Sequence, residues 1–196
     1  MLRILPCGMQ FYKSNIFLVA WLVLAAYCLA EQSYEIINER MESYPGLQET
    51  RVIADNLKIV GRERSMNGTL IFLDDCDNEH YKFDIKLYSD PNDDGNFKLL
   101  PMGVPRMPMC DGLRTYYVQV VQPSLTYGVN TNLPHIPAEG LCPLPKDEYY
   151  LKNLLLDTDT WPNQIPRGLL KAKMTIFKDD IDVGAGALVM KITDPK

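Results

Sequence analysis

Histidine is nearly absent from this chain, with His80 and His135 as two residues among 196. One lies in an acidic turn and the other in a Pro-rich loop, and no Ser or Cys stands beside either in a recognisable motif. A hydrolase needs a nucleophile, a base and a group that orients the base, so both histidines are expected at the surface and no catalytic residue is assigned. Zinc fails for the same reason, because the cysteines and histidines lack ligand spacing. Positive charge is also short: 20 Lys and Arg face 25 Asp and Glu. Phosphate backbones are held by basic clusters, and none is present, which excludes nucleic acid and anionic membrane surfaces as expected partners. There is no internal repeat and no low-complexity tract.

Long apolar runs are missing too, except at the start. Arg3 and Lys13 precede an uncharged run from Ser14 to Ala30, and Glu31 follows at once. A basic start, an apolar middle and a small-residue end in Cys28-Leu29-Ala30 read as a secretory signal peptide over residues 1–30. The run is at the short edge of what spans a bilayer, so stable membrane insertion is not expected. A secreted domain over 31–196 is, with 18 basic against 25 acidic residues once Arg3 and Lys13 are gone.

The remaining chain alternates short apolar segments with turn signals. Tyr81 to Tyr88 is the clearest strand, because Phe83, Ile85 and Leu87 alternate with Lys82, Asp84 and Lys86. A first strand is expected within Glu31 to Gly46, a second over Val52 to Val60, and others from Leu70, Tyr149, Leu169 and Val183. Phe97 to Leu100 makes a hairpin with the Tyr81 strand, after which Pro101, Pro105 and Pro108 predict a broken passage. Leu113, Tyr116, Tyr117, Val120 and Val121 recur at helical spacing. Gly184 and Gly186 in the last strand suggest a bulge or a close backbone approach. The sum is all-β: an antiparallel immunoglobulin-like β-sandwich of seven or eight strands with one short helical insert, an architecture that can hold either an internal apolar cavity or a dry core.

Acidic pairs invite two sharper readings. Asp90, Asn92, Asp94 and Gly95 match the opening of a calcium loop, but its twelfth position, where a bidentate Glu belongs, is Pro101. Asp74-Asp75, Asp93-Asp94 and Asp179-Asp180 lie at turns, where Asp is favoured for local hydrogen bonding. No metal, cofactor or carboxylate dyad is expected.

Cys76, Cys110 and Cys142 remain after the signal peptide, which permits three pairings and leaves one thiol over. Cys110 with Cys142 is the expected disulfide, because both sit in Pro-rich irregular stretches while Cys76 lies in an acidic turn. The stretch Gly140 to Asn153 would then pin the long loop from Tyr127 to Gly140 at the start of a strand. Asn67-Gly68-Thr69 is a glycosylation sequon and a turn signal, so Asn67 is expected to face solvent and carry a glycan. Phe72, Phe83, Ile85, Leu87, Tyr149, Leu151, Leu170, Met174 and Ile176 are expected to face the interior. Their ordinary role is core packing, and the same residues would line a pocket if one exists.

The ordered set Asn67-Gly68-Thr69, Cys110, Cys142-Pro143-Leu144-Pro145-Lys146, Tyr149 to Asn153, Trp161-Pro162 and Pro166-Arg167-Gly168-Leu169-Leu170-Lys171 resembles the secreted insect chemosensory proteins called CheB. Asp147, where Gly would be expected, and the additional Cys76 depart from that pattern. The resemblance implies an ML-type lipid-recognition sandwich, similar to the ganglioside activator, without a catalytic centre. It also implies a lipid or hydrocarbon ligand and presentation of contact pheromones to a chemosensory receptor. From the residues alone, the alternative is an extracellular protein-protein interaction module with a dry core.

Overall fold

The computed structural model describes residues 34–159, 161, 162 and 164–195. The signal-peptide segment lies outside the described residues. Among the described residues nine strands follow in order: β1 (Glu35–Pro45), β2 (Val52–Ile53), β3 (Lys58–Val60), β4 (Ser65–Phe72), β5 (Tyr81–Asp90), β6 (Lys98–Pro108), β7 (Asp147–Leu154), β8 (Gly168–Lys178) and β9 (Ile181–Thr193). The larger sheet has the order β1-β9-β8-β5-β6, and the smaller one places β2 and β3 on one side of β4 and β7 on the other. All strand pairs are antiparallel. The fold is therefore the expected antiparallel β-sandwich. Between β6 and β7 the chain winds through a short helical insert at Met109–Gly112, Leu113–Tyr117, Val118–Val120 and Gln122–Ser124.

Sheet faces follow the alternation in the sequence. On β8, Leu170 and Ile176 turn inward and are buried, while Lys171 and Lys173 take the opposite face. Two apolar clusters join the sheets. One packs Met66 and Leu154 against Leu170, Leu188, Met190 and Ile192, and the other packs Phe72 and Tyr149 against Phe83, Ile176 and Val183.

Three expectations need correction. The single strand over Val52 to Val60 is two strands, because the polar pair Asp55-Asn56 favours a turn and closes one in which Leu57 donates to the Ala54 carbonyl at 3.0 Å. Ala54 and Leu57, three apart, both go into the core, which the two-residue period of a strand forbids. The proline-broken passage is instead the strand β6. It lies at the edge of its sheet, and Pro101 and Pro105 fall in the two register shifts against β5, where no ladder donor is needed. The sequon is not a turn but part of β4, whose register shifts between Met66 and Gly68.

Close approaches explain two glycines. Gly184 (φ +141°) faces the Val52 carbonyl, and a Cβ there would come within 2.5 Å of its oxygen. Gly68 (φ +132°) faces the Asn56 carbonyl in the same way, at 2.0 Å. Both leave room for the β2-β3 turn to lie against the body.

Candidate functional site

Between the two clusters the inner face of the larger sheet is incompletely covered. Ile85 stands opposite Met174, and Leu87 opposite Ala172, in register on the adjacent interior strands β5 and β8. All four are only half-buried. Leu70 of β4 and Leu151 of β7 are half-buried as well, and Leu70 packs against both clusters. Since β2 and β3 contact β9 and β1, β4 lies toward the middle of the larger sheet and β7 toward its β6 side. There β6 contributes Leu100 and Val104, again half-buried. These residues mark a gap in the burial of the apolar inner face between β5-β6 and β4-β7, where side chains packed against the two clusters stay only half-buried.

The insert and the loop after it border this gap. Leu113, Leu133 and Leu141 pack on the cluster around Phe83, and Leu125 packs on the one around Leu170. Gln122 fixes the loop from within: its amide donates to the Ile136 carbonyl at 3.1 Å and accepts the Ile136 N–H at 2.8 Å. The Cys110–Cys142 disulfide, Cα–Cα 5.5 Å, closes the segment. A crevice of about 10 Å³ inside it, lined by Tyr117, Gln122, Leu125, Thr131, Leu133 and His135 among others, has room for one water.

The nine expected interior residues thus divide. Phe72, Phe83, Tyr149 and Ile176 form one buried cluster, and Leu170 belongs to the other. Ile85, Leu87, Leu151 and Met174 are the ones that border the gap. Asn67 is half-buried, its neighbour Met66 turns into the core, its Oδ1 accepts the Asn153 N–H at 3.0 Å, and its Nδ2 lies 3.3 Å from Ser65 Oγ.

Leu70, Ala172, Leu100 and Val104 were missed. The first two share the alternation of Phe72 and Leu170, so parity could have found them, but the prolines of β6 concealed the others.

Polar chemistry near the interior is sparse. Cys76 is buried, and burial, with the charges of Asp74, Asp77 and Asp75 added, pushes its thiol up to about 12, so it is no nucleophile at neutral pH. Tyr149 donates to the Pro145 carbonyl at 2.5 Å. In the acidic turn, burial opposes the charge on Asp90, but the Gly95 and Asp94 N–H groups outweigh it and hold the carboxyl below the usual range. His80 pairs with Asp179 at 2.9 Å. Among the described residues two buried polar atoms have no partner: Asp84 Oδ1 on the outer face of β5, and Trp161 Nε1. Among the described residues no group of three His, Cys, Asp or Glu could hold a metal ion, and no helix is long and apolar enough to cross a membrane.

Fold and site define an antiparallel β-sandwich whose apolar inner face is only half-buried between two packed clusters. Residues 81–172, just under half of the chain, match the model of a family described as "Protein of unknown function (DUF1091)". The matched segment runs from β5 to the middle of β8 and contains the disulfide, the insert and most of the gap. Comparison with the curated proteins found no match.

Proposed function

We propose that this is a secreted, non-enzymatic binding protein for a small hydrophobic ligand, a lipid or hydrocarbon, acting in chemosensation. One observation carries the reading: Ile85, Leu87, Ala172 and Met174 stay half-buried in the middle of a sheet whose two ends are packed. Interiors are normally filled to crystal-like density. An apolar ligand seated there would complete the core and gain roughly 25 cal/mol for each Å² it removes from water. The disulfide and the signal-like first thirty residues support secretion, and the CheB resemblance supports a chemosensory role.

A second reading draws on the loop, which exposes Tyr127 at 66% and Val129 at 68%. Such an apolar tip suits docking to a protein, either a chemosensory receptor that takes the ligand or a partner in its own right. The test between the readings is titration of the mature protein with an apolar naphthylamine fluorophore. Saturable one-to-one uptake is expected, and its absence overturns the ligand-binding reading in favour of the interaction module.

A further inference from the structure

Lysines far apart in the sequence meet on the outer face of the larger sheet. Lys86 of β5 stands directly opposite Lys173 of β8, and Lys171 follows on the same face of β8, opposite Tyr88. Directly opposite side chains on paired strands have Cβ atoms about 4.5–5.5 Å apart, and like charges so placed repel. The other cations around this pair are answered by carboxylates: Lys171 by Glu42 at 2.9 Å, Lys82 and Arg106 by Asp180 at 3.0 and 3.5 Å, and Lys191 by Asp93 at 3.2 Å. Among the described residues Lys86 and Lys173 have no carboxylate partner. Lys86 is exposed, and the Lys173 ammonium lies 4.4 Å from the centre of the Tyr44 ring. Asp84, two residues from Lys86 on the same face of β5, takes neither ammonium, and its Oδ1 is buried without a partner. Gly103 lies across from Lys86 on β6 and Ala187 across from Lys173 on β9, so the row has low flanks on both sides.

We propose that this row is a docking surface for a pair of carboxylates, Asp or Glu side chains displayed by a protein partner. Two positive charges held side by side cost stability in the free protein, and an incoming acidic pair removes that cost on binding. The extent of the patch selects the partner. Asp93 bounds it toward the β5-β6 turn and Asp180 toward the β8-β9 turn, so a long polyanion such as a sulfated polysaccharide would run into carboxylates at each end. The same acids disfavour an anionic bilayer, whose surface charge would cover the whole face. A second copy of this chain cannot answer the patch about a two-fold axis, because an isologous contact would set lysine against lysine. This surface is separate from the half-buried inner face and from the Tyr127 tip, and the proposal stands without the ligand-binding reading.

The test is an NMR titration of the mature protein with a capped tetraglutamate peptide, in the wild type, in Lys86→Glu and in Lys152→Glu, which alters an exposed lysine of the smaller sheet. The wild type and Lys152→Glu should show saturable shifts at β5 and β8 amides that weaken as salt is added. Lys86→Glu should bind about tenfold more weakly or worse. It also places an acid opposite Lys173, so its urea midpoint should rise as binding is lost, which separates a lost contact from a damaged fold. No binding by the wild type, binding that Lys86→Glu leaves unchanged, or shifts confined to other strands overturns the proposal. So does tighter binding of a heparin hexasaccharide or of phosphatidylserine vesicles than of the peptide, which would assign the face to a sulfated glycan or a membrane.

Discussion

Ile85 and Met174 face each other in register on two interior strands of the larger sheet, and the opposing sheet leaves both half-buried. Two residues along the same strands, Phe83 and Ile176 form another facing pair and are buried, at 4% and 1% exposure. Within about one strand repeat the inner face passes from buried to half-buried.

That contrast predicts unequal costs of truncation. Ile176→Ala leaves a cavity in a packed cluster and should cost about 2–5 kcal/mol in urea unfolding. Met174→Ala removes a side chain that water already reaches, so about 1 kcal/mol or less is expected. Equal costs would mean that the gap is filled in solution.

Filling the gap should separate binding from stability. Ala172→Trp places a large ring on the half-buried inner face that also carries Leu87, Leu70 and Leu151, and should shift the unfolding midpoint little while abolishing fluorophore uptake. Uptake that persists would place the ligand elsewhere.

The disulfide has a predictable size of effect. Cys110 and Cys142 are 32 residues apart in sequence, and closing a loop of that length restricts the unfolded chain by about 3–4 kcal/mol. The double variant Cys110→Ser, Cys142→Ser should lose about that much, and limited proteolysis should cut first between Tyr127 and Gly140.

Acid should weaken the fold through Asp74. Tyr81 donates to its Oδ2 at 2.6 Å and Lys178 at 2.9 Å, and these contacts, that of Tyr81 foremost, hold its carboxyl below the usual range. A group with a depressed folded pKa contributes stability that is complete above its unfolded pKa and lost as pH falls through the folded value. Urea stability should therefore decline as pH drops below about 4. Asp74→Asn should lower neutral-pH stability by about 1 kcal/mol and flatten the acid limb.

Asn67 should carry a glycan when the chain is made in a secretory host. The amide carbonyl stays engaged by the Asn153 N–H when a sugar occupies the nitrogen. A mass loss on enzymatic deglycosylation, absent in Asn67→Gln, is the expected result.

Much of this was legible in the residues, and what was hidden has a physical cause. Alternation along Tyr81 to Tyr88 and Leu169 to Phe177 gave both the strands and their inner faces, because a half-buried strand exposes its period directly. The Pro-rich surroundings of Cys110 and Cys142 pointed to their pairing. β6 was concealed because proline is excluded from a sheet only where a ladder donor is required, and strand order is not written locally. The division of Phe83 and Ile176 from Ile85 and Met174 was concealed for a related reason: alternation says which way a side chain points, not how closely the opposite sheet approaches it.

The most direct measurement is native mass spectrometry of the protein as secreted, before and after extraction with organic solvent. A one-to-one adduct that the solvent removes, and that Ala172→Trp fails to acquire, is the predicted result. Bare protein in both samples, together with no saturable uptake of lipid or hydrocarbon probes, would contradict it.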